Sequence, residues 1–202
     1  MDKGFVFLDE VLYGIRWDAK YATWDNFTGK PVDGYNANRI VGSMAMASAL
    51  LEAKERAAAL GYGLLLWDGY RPQRAVDSFL RWAAQPEDGL VKANYYPRID
   101  RSAMVTKGYI ASKSSHSRGS AVDLTLYQLG TDALVPMGTG FDFMDKRSHH
   151  SSSEISDIEA QNRHLLCSVM EDSGFVAFEC EWWHYSLKNE PYPDRYFDFP
   201  VG

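Results

Sequence analysis

The residues best suited to chemistry lie in two segments. The first is Ser114-Ser115-His116-Ser117-Arg118-Gly119-Ser120-Ala121-Val122-Asp123, and the second is Glu181-Trp182-Trp183-His184. Asp123 stands between Val122 and Leu124 in an alternating stretch, Ser120 to Tyr127, that reads as a strand. A carboxylate there is expected to be buried. Without a partner it would cost on the order of several kcal/mol or give up its charge. A metal ion held jointly with His116 resolves that conflict, with Gly119 letting the chain bend between the two ligands and approach the ion closely. His184 supplies a third donor. Two imidazoles and one carboxylate, with water in the open fourth position, make a catalytic zinc site. Glu181 is then left as a general base or acid for that water.

The spacing of the second segment poses a geometric problem. Residues three apart in a regular strand point to opposite faces. Either a bulge or a strand end turns Glu181 and His184 both toward the metal, or Glu181 reaches in from the flank. A single His or Asp in a strand most often only satisfies hydrogen bonds, and one Glu-x-x-His is a weak signal. The two segments together are far more specific.

Several elements must position these groups. Ser43 to Leu60 is rich in Ala, Leu, Met, Glu and Lys and is followed by Gly61, which predicts a helix with a glycine stop. Gly63 to Trp67 reads as a buried strand and Asp68-Gly69-Tyr70-Arg71-Pro72 as a turn. Pro72 suits the first position of a helix running to about Ala84, with Ala75, Val76, Phe79, Leu80 and Ala83 on one face. A Ser-rich loop near 148–153 precedes a helix of about Ile155 to Ser173, ended by Gly174, and Phe175 to Leu187 reads as a strand or hairpin arm. The first forty residues read as short strands and loops, and residues 85–110 as irregular. Strands and helices alternate without regular βαβ repetition. That predicts a single α+β domain, 1–202, with an antiparallel or mixed central sheet, helices mainly on one side and the zinc site at the sheet.

Composition sets outer limits. A chain of 46% hydrophobic and 24% charged residues is neither disordered, collagenous nor a coiled-coil rod. A net charge of −6 without a Lys/Arg cluster excludes the basic face that nucleic acid requires. No run approaches the ~20 apolar residues of a membrane span. Asp2 and Asp9 interrupt the N-terminal stretch, no secretory signal is legible, and a cytoplasmic location is expected. Aromatics at 14% point to a well-filled core or an aromatic-lined cleft. Cys167 and Cys180 read as buried free thiols. His149-His150 reads as part of a solvated loop, at most a partner to a ligand; His164 reads as surface. At most one of Trp182 and Trp183 should face a substrate.

The first segment fits the Ser-x-His-x-x-Gly-x-Ala-x-Asp pattern of a zinc peptidase family that contains bacterial D-alanyl-D-alanine carboxypeptidases and D-Ala-D-Ala dipeptidases. The resemblance extends to Glu181-x-x-His184 and to Asp68-Gly69-Tyr70-Arg71-Pro72. Within the family the chain looks like the dipeptidases of vancomycin-resistance clusters over essentially its whole length. Leu8-Asp9-Glu10, Trp17-Asp18-Ala19-Lys20-Tyr21 and Glu181-Trp182-Trp183-His184-Tyr185 carry that likeness, and no motif position departs from it.

The resemblance implies one zinc ion held by His116, Asp123 and His184. It implies Glu181 as the base that activates water and later protonates the leaving amine, and Arg71 as the group that stabilises the oxyanion. The plain alternative for Arg71 is a salt bridge to Asp68 that closes the turn, and Asp68 can equally hold a catalytic Arg71 in place. The implied substrate is the free dipeptide D-Ala-D-Ala, with a role in glycopeptide resistance. The runner-up is a D,D-carboxypeptidase that trims terminal D-Ala from wall precursors. Asp142 is the candidate anion for the dipeptide's ammonium, with Asp145 as its rival. Ser114, Ser115 and Tyr21 are candidate hydroxyl donors. A non-catalytic zinc module on the same fold is the reading from another class. No nucleic-acid or membrane partner is expected, and a homodimer is left open.

Overall fold

A computed structural model describes all 202 residues. Short elements come first: β1 (Phe5–Phe7), α1 (Leu8–Val11) and β2 (Arg16–Trp17). β3 (Val41–Ser43) pairs antiparallel with β1 and runs directly into α2 (Met44–Ala59). Ser43 caps α2 by accepting from the Met46 N–H, and Gly61, at φ +86°, follows its end. The chain continues through β4 (Tyr62–Asp68), α3 (Gln73–Ala83), α4 (Lys92–Tyr95) and β5 (Ala121–Gln128). It ends with α5 (Asp157–Glu171) and a hairpin of β6 (Phe175–Phe178) and β7 (Glu181–Leu187). No helix is long and apolar enough to cross a membrane.

The main sheet has the order β2-β4-β5-β7-β6. β2 lies parallel to β4 and the other pairings are antiparallel, so the sheet is mixed. α2 packs on β4 and α5, and α5 on β6 and β7. Alternation in β5 works as expected. Leu124 and Leu126 stand opposite Leu66 and Leu64, while Asp123 and Thr125 turn the other way. Ala121 to Tyr127 are nonetheless all buried, because the second face is covered too. Tyr21, Phe27, Phe79, Phe141 and Trp67 form a connected layer of rings, so the aromatics both fill the core and line a cleft.

Pairing slips in two places. Leu66 faces Leu124, yet Asp68 faces Asp123, so two steps along β4 match one along β5. Without that bulge Asp68 would share the face of Leu66; with it, Asp68 joins Asp123. On the other side, Ala177 faces Tyr185 and Phe178 faces Glu181, so one step of β6 spans four residues of β7.

Three details differ from the sequence reading. Pro72 sits one residue before α3, extended at ψ 145°, and the Gln73 N–H that follows donates to the Phe197 carbonyl. Trp82 rather than Leu80 is buried on that helix, since Tyr96 and Arg101 from the irregular segment fold over its ring. Cys167 and Cys180 are free as expected but only half-buried. Ser156 and Glu159 form a capping box that starts α5.

Gly119 ends the 3-10 turn Ser115–Arg118 at φ +70°, immediately before β5. A Cβ there would lie 2.2 Å from the Phe5 ring. Gly119→Ala is therefore expected to lose roughly 1–2 kcal/mol from the left-handed backbone alone. That corresponds to a Tm lower by about 3 °C or more. Calorimetry of the zinc-loaded protein checks this, and an unchanged Tm would contradict it.

Candidate metal centre and active site

Antiparallel pairing sets Asp123 directly opposite His184, so their side chains stand together on one face. His116 arrives from the 3-10 turn that Gly119 closes. Its Nε2 lies 3.1 Å from His184 Nδ1 and 3.3 Å from Asp123 Oδ2. His184 Nδ1 lies 3.0 Å from Asp123 Oδ1. Tetrahedral zinc, with bonds near 2.0–2.1 Å, spaces its ligand atoms by about 3.3 Å. The three residues fit that ion.

The outer ring atoms fix which nitrogens face inward. His116 Nδ1–H donates to the Gly69 carbonyl at 2.7 Å, which leaves the Nε2 lone pair for the centre. His184 Nε2 lies 3.3 Å from both Ser115 Oγ and Ser186 Oγ, which leaves Nδ1 for the centre. Burial alone would push the Asp123 carboxyl up, but the two imidazoles overcome this and hold it well below the usual carboxylate range. Burial lowers His116. It also acts against a charged His184, but the bond to Asp123 leaves that imidazole raised.

Arg71 donates from Nε to Asp68 Oδ2 at 2.9 Å and from Nη2 to Asp123 Oδ2 at 3.2 Å. The turn-closing salt bridge and a place beside the metal donors are thus the same arrangement. Asp68 Oδ1 accepts from Tyr35 OH at 2.7 Å, so both carboxylate oxygens are engaged.

The slip between β6 and β7 answers the spacing problem. Glu181 Oε2 reaches 3.9 Å from His184 Nδ1, on the same side of the sheet. Burial pushes the Glu181 carboxyl up, toward a range useful for moving protons. A cavity of about 430 Å³ brings together His116, Asp123, His184, Glu181, Arg71, Tyr21, Ser114, Ser115 and Asp142. None of its lining comes from α2 or α5, so the site lies on the face away from those helices.

Of the two candidate anions, Asp142 lines this cavity and Asp145 does not. Asp142 is buried, its Oδ2 accepts from Tyr21 OH at 2.7 Å, and its backbone is left-handed at φ +54°. Burial first, then the charge of Asp123, pushes its carboxyl well up. Asp145 is paired with Arg98 instead and caps the following turn through the Arg147 N–H. Trp183 lines the cavity; Trp182 does not, and donates to Thr139 Oγ1 at 2.8 Å. His150 is half-buried against Tyr185 rather than solvated, because its N–H bonds the Glu179 carbonyl in the hairpin turn. Neither His149 nor His150 lines this cavity, and His164 is exposed.

Sequence reasoning missed Tyr35, the Gly69 carbonyl and Ser186. Ser186 was within reach, since period two places it on the face of His184. Tyr35 comes from 33 residues before Asp68 and carries no local signal.

The model of the peptidase M15 D-Ala-D-Ala dipeptidase family matches residues 1–202. The chain belongs to that family. A D-alanyl-D-alanine dipeptidase of Enterococcus faecium is 69% identical over 201 residues, covering 100% of both chains. One from Streptomyces coelicolor is 62% identical over 202 residues, again covering 100% of both. A solved Zn(II) complex of a mutant form of the vancomycin-resistance D,D-pentapeptidase VanY shares 17% identity over 77% of each chain at a TM-score of 0.46, too distant to bear on this site. The chain is a zinc metallopeptidase, and zinc is the ion its three candidate donors fit.

Chelating the metal from this protein is expected to lower its Tm, and zinc at 100 times Kd to restore about 2.7 kcal/mol. His116→Ala should abolish the zinc-dependent rise and Glu181→Ala should keep it. Calorimetry with metal analysis decides, and tight stoichiometric zinc in His116→Ala would refute the ligand set.

Proposed function

We propose that the protein cleaves the free dipeptide D-Ala-D-Ala to two D-alanines, with His116, Asp123 and His184 holding zinc. The bound ion supplies Lewis acidity that lowers the pKa of water and polarises a carbonyl. Glu181 takes the proton of the attacking water on its carboxylate. Water oxygen adds to the scissile carbonyl carbon, and the Arg71 guanidinium stabilises the charge that develops on the carbonyl oxygen. Glu181 then delivers the proton to the amide nitrogen as the C–N bond breaks, releasing the second D-alanine. Asp68, itself bonded by Tyr35, holds Arg71 in place. Tyr21 orients Asp142 toward the substrate ammonium, and Ser114 and Ser115 offer donors to the substrate.

The observation that carries this reading is the burial of Asp142 in the cavity that also contains Glu181 and the metal donors. A desolvated carboxylate there suits a free ammonium and disfavours an acylated amine. Removing the dipeptide before it enters wall precursors would deprive glycopeptides of their target. A cytoplasmic location and a role in vancomycin resistance go with that reading. One observation favours the D,D-carboxypeptidase alternative. A second cavity of about 520 Å³ shares Tyr109, Phe178, Cys180 and Glu181 with the first and offers room for a longer peptide.

D-alanine release from D-Ala-D-Ala, measured beside a pentapeptide ending in D-Ala-D-Ala, separates the two. The dipeptide should be cleaved and the pentapeptide left intact. Glu181→Ala should retain zinc and lose roughly 10²–10⁴ in kcat. Cleavage of the pentapeptide would move the assignment to a carboxypeptidase, and release from neither would leave a non-catalytic zinc module.

A further inference from the structure

Arg163 lies on α5, away from the catalytic cavity, and only 1% of it is exposed. Such a guanidinium normally has a carboxylate partner. Here burial lowers its pKa, and Glu159 acts on it only through space. Its hydrogen bonds go to two main-chain carbonyls. Nε donates to Met137 O at 2.7 Å and Nη1 to His149 O, also at 2.7 Å. Those carbonyls are the two ends of the loop that carries Asp142.

The loop is also closed from within. Trp182, whose ring faces the guanidinium at 5.8 Å, donates to Thr139 Oγ1. Thr139 Oγ1 and Ser148 Oγ lie 3.1 Å apart, and Ser148 Oγ donates to the carbonyl of Phe143, the residue after Asp142. Gly138 runs so close to Arg163 and to the segment leading into α5 that a Cβ would meet Ile155 at 2.6 Å and Arg163 Nη2 at 3.2 Å. The left-handed backbone of Asp142 is thus held by a loop whose two ends are tied to one side chain. An apolar residue would fill the same space on α5 with less desolvation. What the guanidinium adds is a fork that holds two carbonyls at a fixed separation.

We infer that Arg163 is a positioning residue for substrate selection: by clamping Met137 and His149 it keeps Asp142 aimed into the cavity. The inference rests on the ammonium role proposed for Asp142. It predicts that Arg163 acts through Asp142 and not on the metal or on Glu181.

The test compares wild type, Arg163→Met, Arg163→Lys, Asp142→Asn and the Asp142→Asn/Arg163→Met double variant, all zinc-loaded, on D-Ala-D-Ala. Arg163→Met should raise KM about tenfold or more and change kcat by less than threefold, with zinc content unchanged. Hydrogen exchange should quicken in residues 138–148 and not in β5 or β7. Arg163→Lys, which keeps a charged donor, should recover part of the KM and serves if Arg163→Met fails to fold. Adding Arg163→Met to Asp142→Asn should raise KM little further, because the two act as one unit. A lower Tm with KM unchanged in Arg163→Lys and Arg163→Met would reduce Arg163 to a structural residue and overturn the inference. Additive KM effects in the double variant would overturn it as well. If Asp142→Asn alone leaves KM unchanged, the ammonium reading falls and takes the inference with it. If Asp142→Asn raises KM and Arg163→Met does not, only the inference falls.

Discussion

One buried carboxylate sets the terms for the site. Asp123 sits in a strand covered on both faces and is 1% exposed. Taking a carboxylate out of water costs on the order of several kcal/mol unless positive charge and hydrogen bonds offset it. His116, His184 and Arg71 each place a nitrogen within 3.3 Å of its oxygens. Each of those groups is held in turn. Gly69 takes the far nitrogen of His116, Ser115 and Ser186 that of His184, and Asp68 the Nε of Arg71. Tyr35 then satisfies Asp68. The network spreads outward because each layer meets the hydrogen-bonding needs of the layer inside it.

Regular secondary structure would not assemble this network. An unbroken β4 would send Asp68 to the helix side, and an unbroken β7 would separate Glu181 from His184. Both strands slip at those residues. The same holds for the backbone at φ > 0: Gly119 lies between two metal donors, and Asp142 faces the cavity. Departures from ideal geometry collect where side chains must converge. The regular parts, β5 above all, provide the fixed frame against which those departures are measured.

This explains what could be read in the sequence. That His116, Asp123 and His184 would come together was legible because a metal needs particular donor types, and residue type is what a sequence displays. The α+β class, α2, and the alternation of β5 were legible because they follow local periodicity. The route by which Glu181 reaches the centre was not, since a bulge depends on pairing with β6. Which of Asp142 and Asp145 lines the cavity was not either, for Arg98, 47 residues from Asp145, claims one of the two. Arg163 carries no local signal either. Its burial depends on a loop that begins 26 residues earlier, at Met137.

The cost of Asp142 is itself informative. A non-glycine residue in the left-handed region gives up about 1–3 kcal/mol, and this one is also desolvated near the charge of Asp123. Tyr21 engages one carboxylate oxygen and leaves the other without a protein donor. A fold selected for stability alone would place a glycine or an amide here. The arrangement suits the proposed substrate, a zwitterion whose ammonium would meet Asp142 while its carbonyl would meet Arg71 and the metal. An acylated amine would leave the carboxylate buried and unpaired. On the proposed function, selectivity for a free dipeptide would come less from the shape of the cavity than from the penalty on any ligand that brings no charge to that end.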